Sequence, residues 1–179
     1  MSTHIAFLRA VNVAGHAVVK MDALCGAFTA AGCRNVRSFI QSGNVIFDSS
    51  ASEAATLLRL RNEIRSLLGK EPGIFLRTLN EIAQLVERDP FHEFKSQQDV
   101  KLYVAFLAEK PRVKPQFPLL SPKEGLEALA MSGREVFILS HPNPRGFTGN
   151  NFIEKELQVS ATCRNWNTIT KIVKFAESK

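Results

Sequence analysis

Residues 4–9, HIAFLR, are apolar on both faces of an extended chain. That is the pattern of a strand with neighbours on either side, so the residues around it must supply a sheet. The next signals come in a legible order. Met21, Leu24, Phe28 and Ala31 fall at helical spacing, and Gly32 follows as a left-handed stop. In 35–41, Val36, Ser38 and Ile40 take one face while Arg37, Phe39 and Gln41 take the other, and Ser42-Gly43 offers a two-residue turn into NVIFD. Ser50 or Ser52 caps a long helix carrying Leu57, Leu60, Ile64, Leu67 and Leu68, which Gly69 ends before the strand GIFLRT at 73–78.

The order β-α-β-β-α-β within 1–78 predicts an α+β unit of the ferredoxin-like, split βαβ kind. In it, four antiparallel strands are ordered fourth, first, third, second, with two helices on one face. Residues 79–179 read as a second, less regular α+β subdomain packed with the first as one globular body. It contains a short helix at 79–87, a turn at Asp89-Pro90-Phe91, a strand at 100–108 and a connection in which Pro111, Pro115, Pro118 and Pro122 exclude interior strands. A hairpin then turns around Ser132-Gly133, a Pro/Gly/Asn-rich loop spans His141 to Asn150, and two helices close the chain. Asn151 with Glu154 forms a capping-box-like start for the first of these helices, and Asn167 or Thr168 an N-cap for the second.

Composition narrows the class. With 45% hydrophobic and 22% charged residues in 179, neither disorder nor a membrane protein is indicated, and no apolar run approaches the roughly 20 residues a spanning helix needs. Three cysteines, Cys25, Cys33 and Cys163, lack paired spacing, and with no secretory leader in view the expected compartment is a reducing cytoplasm. The net charge of +6 is spread, with nine basic against five acidic residues in 1–78 and fourteen against twelve in 79–179. A nucleic-acid-binding stripe is therefore weakly supported, while an anionic small molecule remains compatible. The sequence carries no signal for oligomeric state.

Three motifs, FLRAVNVAGHAVVKMDAL, FIQSGNVIF and DPF, together with ATCRNWNTITKI near the end, resemble the family catalogued as domain of unknown function 1697, over essentially the whole chain. Members carry an Arg-Gly-x-Asn-Val-Gly-Gly stretch after the first strand. Here Arg9, Asn12, Val13 and Gly15 fit, while Ala10 and Ala14 occupy two glycine places. The resemblance implies an α+β fold with ferredoxin-like parts and no established activity.

Candidate site residues gather where the first strand ends. The 9–20 connection is long for a step from strand to helix. In it Asn12 can bond backbone or ligand, and Lys20 stands beside the N-terminus of the first helix, where unpaired N–H groups favour an anion. The alanines weaken a phosphate cradle, which prefers residues free to take positive φ. Gln41 and Asn44 flank the hairpin expected at the same rim as Arg9 and add amide groups to it. Arg164 is a candidate clamp for phosphate or carboxylate. Trp166, the one tryptophan, and Asn167 read as structural, Trp166 filling a seam between the subdomains.

Catalytic signals are thin. His4, His16, His92 and His141 share no ligand spacing, so no metal is expected. Walker, Rossmann and Gly-x-Ser-x-Gly fingerprints are absent from the sequence, and no cofactor is expected. The leading expectation is a non-enzymatic binding module with an anion-friendly polar site. Open beside it are a small enzyme acting on a phosphorylated or nucleotide-like substrate, and an RNA-binding module, whose strands would lack the aromatic-rich pattern that stacks bases.

Overall fold

The computed structural model describes residues 1–9, 19–40, 42–71 and 73–178. The fold is α+β, with two antiparallel sheets and five α-helices among those residues. Its backbone contacts group 1–84 with 172–179 as one unit and 85–171 as another. The sequence reading assigns all of 79–179 to one subdomain. In the structure the grouping changes inside two helices, α3 (Leu79–Arg88) and α5 (Trp166–Glu177), rather than at a linker.

In the first unit the chain runs β1 (Ser2–Arg9), α1 (Met21–Ala30), β2 (Arg34–Phe39), β3 (Asn44–Ser49), α2 (Glu53–Leu68) and β4 (Gly73–Thr78). The strands lie in the order β2-β3-β1-β4, every neighbouring pair antiparallel, which is the order the element sequence and right-handed crossovers predict. The local signals act as read. Ser52 Oγ accepts the Ala55 N–H at the start of α2, and Gly69, at φ 67°, ends it. Alternation along β1 sends Ala6 and Leu8 to the helix face, where they pack with Leu24, Phe28, Leu60 and Ile64. The opposite face, with Ile5, Phe7, Ile46 and Phe75, is also buried. Phe175 of α5 meets Phe39 of β2, ring centres 5.3 Å apart.

One turn differs from expectation. Phe39 pairs with Asn44, so the β2–β3 connection comprises residues 40–43 and is not the two-residue turn Ser42-Gly43. The Asn44 side chain supports this wider loop: its Nδ2 donates to Ser42 Oγ at 2.7 Å and to the Phe39 carbonyl at 3.4 Å.

The second unit contains β5 (Lys101–Leu107), β6 (Leu119–Ser121), β7 (Leu126–Ser132), β8 (Glu135–Ser140), α4 (Gly149–Leu157) and β9 (Ala161–Asn165), with the sheet order β6-β7-β8-β5-β9. The short β6 sits at a sheet edge, as its proline-rich surroundings require. Ala105, Leu107, Val136 and Ile138 face α4, packing with Phe152 and Ile153. On the other face Phe91 meets Phe137 and Trp166 edge-on, at 5.9 and 5.2 Å between centres.

Three local expectations are corrected in this unit. Residues 161–165 form the edge strand β9, paired with β5, where the sequence shows only the approach to a helix. The helix expected from Asn151 starts at Gly149, and no capping box forms. Instead Asn150 Oδ1 accepts the Cys163 N–H at 2.8 Å and Glu154 Oε1 accepts the Ala161 N–H at 2.9 Å, so both side chains hold β9. The cap of α5 is Asn165, whose Oδ1 accepts the Asn167 N–H at 2.9 Å; Asn167 and Thr168 lie inside the helix. No helix among the described residues is long and apolar enough to cross a membrane.

Candidate functional site

In the first unit, Arg9 is the last residue of β1 and pairs with Gly73, the first of β4. A side chain at Gly73 would press on the Arg9 stem, its Cβ 2.9 Å from Arg9 Cβ, so the glycine leaves room for Arg9 beside it. Asn44 opens β3 opposite Phe7, at the same rim. At the other rim β2 begins, Arg34 pairing with Asp48, with only three residues between it and the end of α1. Helix α1 is about 15 Å long at 1.5 Å per residue, so it runs back across the sheet and its N-terminus opens toward the Arg9 rim.

Lys20 occupies the N-cap of α1 in extended geometry, φ −64° and ψ 134°, with its side chain exposed. A lysine cannot accept the N–H bonds that a Ser, Thr, Asn or Asp at this position accepts, and none is made. Asp22, exposed in the first turn, is the one carboxylate there. Asn44 is fully buried and engaged by Ser42 and Phe39, so it braces the hairpin and is not the unpaired amide the sequence suggests. Asn12 and Gln41 lie outside the described residues.

Arg164 belongs to the second unit, on β9 opposite Val104. Its Nη1 donates to Thr162 Oγ1 and to the Cys163 carbonyl, both at 2.9 Å. Part of the side chain remains accessible, but loss of water around the guanidinium brings its pKa down to about 10, which leaves it charged at neutral pH. Trp166 is 5% exposed and packs edge-on against Phe91 of the same unit; Asn167 is exposed at the surface of α5.

A second polar constellation lies on the α4 face of the second sheet. There an open cleft of about 410 Å³ is lined by Asp99, Lys101, Tyr103, Ser140, His141 and Phe147, among others. Lys101 and Ser140 are cross-strand partners, and Tyr103 lies two residues along β5 on the same face. Phe147 lies face to face with Tyr103, ring centres 3.8 Å apart and planes 14° apart. The tip of the Phe147 ring abuts Gly149, where an added Cβ would come within 2.2 Å of it. Asn143 shapes the loop, its Nδ2 donating to the Lys123 carbonyl and its Oδ1 accepting the Arg145 N–H.

Sequence reasoning marks the His141–Asn150 loop as irregular but assigns it no site, because nothing local pairs residue 103 with residue 147. Among the described residues no group of three or more His, Cys, Asp or Glu is arranged to hold a metal ion. Burial pushes the Cys33 thiol up to about 11, against a smaller opposing effect of Arg59, which makes it a poor nucleophile.

A family model described as "Protein of unknown function (DUF1697)" matches residues 1–137. The match takes in three of the four motifs on which the resemblance rests; ATCRNWNTITKI lies beyond it. No curated protein matches the chain. Among solved structures the chain is similar to the conserved bacterial protein SP0830 from Streptococcus pneumoniae, with a TM-score of 0.69 and 19% identity over 98% of this chain and 99% of that one. At that identity the likeness speaks to the fold alone.

Proposed function

We propose, on the premise that this chain belongs to the DUF1697 family of proteins of unknown function, that it is a binding module whose first unit receives a small anion at the Lys20 end of α1. The observation that carries this reading is Lys20 itself. An N-cap without an acceptor forgoes about 1 kcal/mol of helix stability. A positive charge at the helix end that already carries about half a positive charge adds a repulsion of roughly 0.3–1 kcal/mol. A phosphate or carboxylate at that end would resolve both, accepting from the N–H groups and pairing with the ammonium. Arg9, at the rim toward which this helix end opens, adds a further positive charge to the neighbourhood.

The test opposes stability to binding. In the Lys20→Ser variant the serine supplies the missing cap, so the ligand-free protein gains about 1 kcal/mol in denaturant melts. Its affinity for inorganic phosphate and pyrophosphate, measured by titration calorimetry, falls several-fold and becomes less dependent on salt. Asp22→Asn acts oppositely on affinity, by removing a competing carboxylate. Unchanged phosphate and pyrophosphate affinity in Lys20→Ser would remove the site.

A further inference from the structure

We propose that the cleft on the second sheet is a separate site for a mononucleotide, its base stacking on Phe147 and its phosphate meeting Lys101 and His141. Four observations lead there. First, Ser140 is nine-tenths buried yet lines the cleft, and no described residue hydrogen-bonds its hydroxyl. Its hydroxyl is not fully buried, and it can donate to or accept from a group that enters the cleft. The side chains of Lys101, Tyr103 and His141, which line the same space, also make no hydrogen bond to a described residue.

Second, Phe147 gives one face to Tyr103 and its tip to Gly149, and is still 36% exposed. Phe147 also lines the cleft, so the two-ring stack brings an aromatic surface to its border. Any base can extend such a stack, because every base has a π-face. The Asn143 bonds order residues 143–145 just before Phe147, and the ring already lies on Tyr103, so the stack is formed without ligand.

Third, the charges are mixed. Asp99 and Lys101 flank Val100 and both line the cleft, joined by the exposed imidazole of His141. A simple anion would be repelled by Asp99. A ligand with N–H donors at one end and a phosphate at the other satisfies both signs, the carboxylate accepting from the base and the cations meeting the phosphate. Fourth, about 410 Å³ falls in the range of small-ligand pockets.

The experiment titrates the full chain carrying Lys20→Glu, whose added carboxylate closes the anion site of the first unit, calorimetrically with the four 5′-mononucleotides and with ribose 5-phosphate. At least one mononucleotide binds one to one, and ribose 5-phosphate binds at least roughly ten-fold more weakly, since it lacks the stacking group. Phe147→Ala weakens the mononucleotide by roughly ten-fold or more, while Phe147→Tyr, which keeps the stack, retains it. In the same background Lys101→Ala weakens it and reduces its salt dependence, so failure at this cleft and failure at the rim of the first unit are read separately. The proposal is overturned if no mononucleotide binds at millimolar concentration, if ribose 5-phosphate binds as well as they do, or if Phe147→Ala binds like the parent.

Discussion

The guanidinium of Arg37 on β2 donates to the carbonyl oxygen of Ala176 near the end of α5, 3.1 Å away, although the two residues stand 139 positions apart. It also donates to the Ser178 carbonyl at 3.0 Å and lies over the Phe175 ring, 5.1 Å from its centre. The last carbonyls of a helix lack intrahelical partners and carry its negative partial charge, and a forked cation answers both needs.

Arg37→Ala should therefore cost about 1–3 kcal/mol, the usual worth of hydrogen bonds to a charged group. Arg37→Lys should recover only part of this, because an ammonium lacks the planar fork. Urea melts of the three proteins check it, and an Arg37→Ala midpoint equal to the parent's would show that the clamp contributes nothing.

Trp166→Ala should be more severe. The ring is 5% exposed and packs edge-on against Phe91, so its removal leaves a cavity costing about 3–5 kcal/mol. Denaturant melts report the loss directly. A loss under about 1 kcal/mol, accompanied by loss of a ligand, would instead make Trp166 a binding residue.

Neighbouring asparagines separate the two possible caps of α5. Asn165→Ala removes the acceptor of the Asn167 N–H and should cost about 1 kcal/mol. Asn167→Ala, at an exposed position within the helix, should stay within about 0.5 kcal/mol of the parent. The reverse ranking in thermal or urea melts would return the cap to Asn167.

These caps show where sequence reasoning reaches and where it stops. The four-stranded order of the first unit was legible because each element there is long enough to display its period, and because Ser52 and Gly69 punctuate α2 with residues suited to those positions. Strand β9 was not, because ATCRN spans five residues without apolar alternation and is held by side chains of α4 that lie ten or so positions earlier. Once 161–165 is an extended strand, Asn165 and not Asn167 stands at the helix start. Lys20 was visible as a cation beside a helix, but the burial and bonding of Asn44 follow from the pairing of β1 with β3, which no local pattern encodes. Likewise the meeting of Tyr103 with Phe147 depends on the path of an irregular loop.

Acid should expose the contribution of Asp48. Its carboxylate accepts from Asn35 Nδ2 and from Thr3 Oγ1, each at 2.7 Å, and these bonds hold its pKa below the ordinary value of 3.8. A depressed folded-state pKa stabilises the fold above the unfolded value, and that contribution is lost as pH falls through the folded value. Stability differences between the parent and Asp48→Asn should thus be constant near neutrality and shrink below about pH 4. Paired melts from pH 7 to pH 3 check this, and a pH-independent difference would contradict it.

Gly149 has a consequence for how such a chain can vary over time. Its bare α-carbon lies against the tip of Phe147, with no space for even a methyl group. Positions 147 and 149 are therefore steric alternatives, and a lineage that acquires a side chain at 149 must trim or redirect the ring at 147. In a set of diverged relatives the two columns should change together, with bulk at one excluding bulk at the other, whereas independent variation would mean that the loop has other ways to yield.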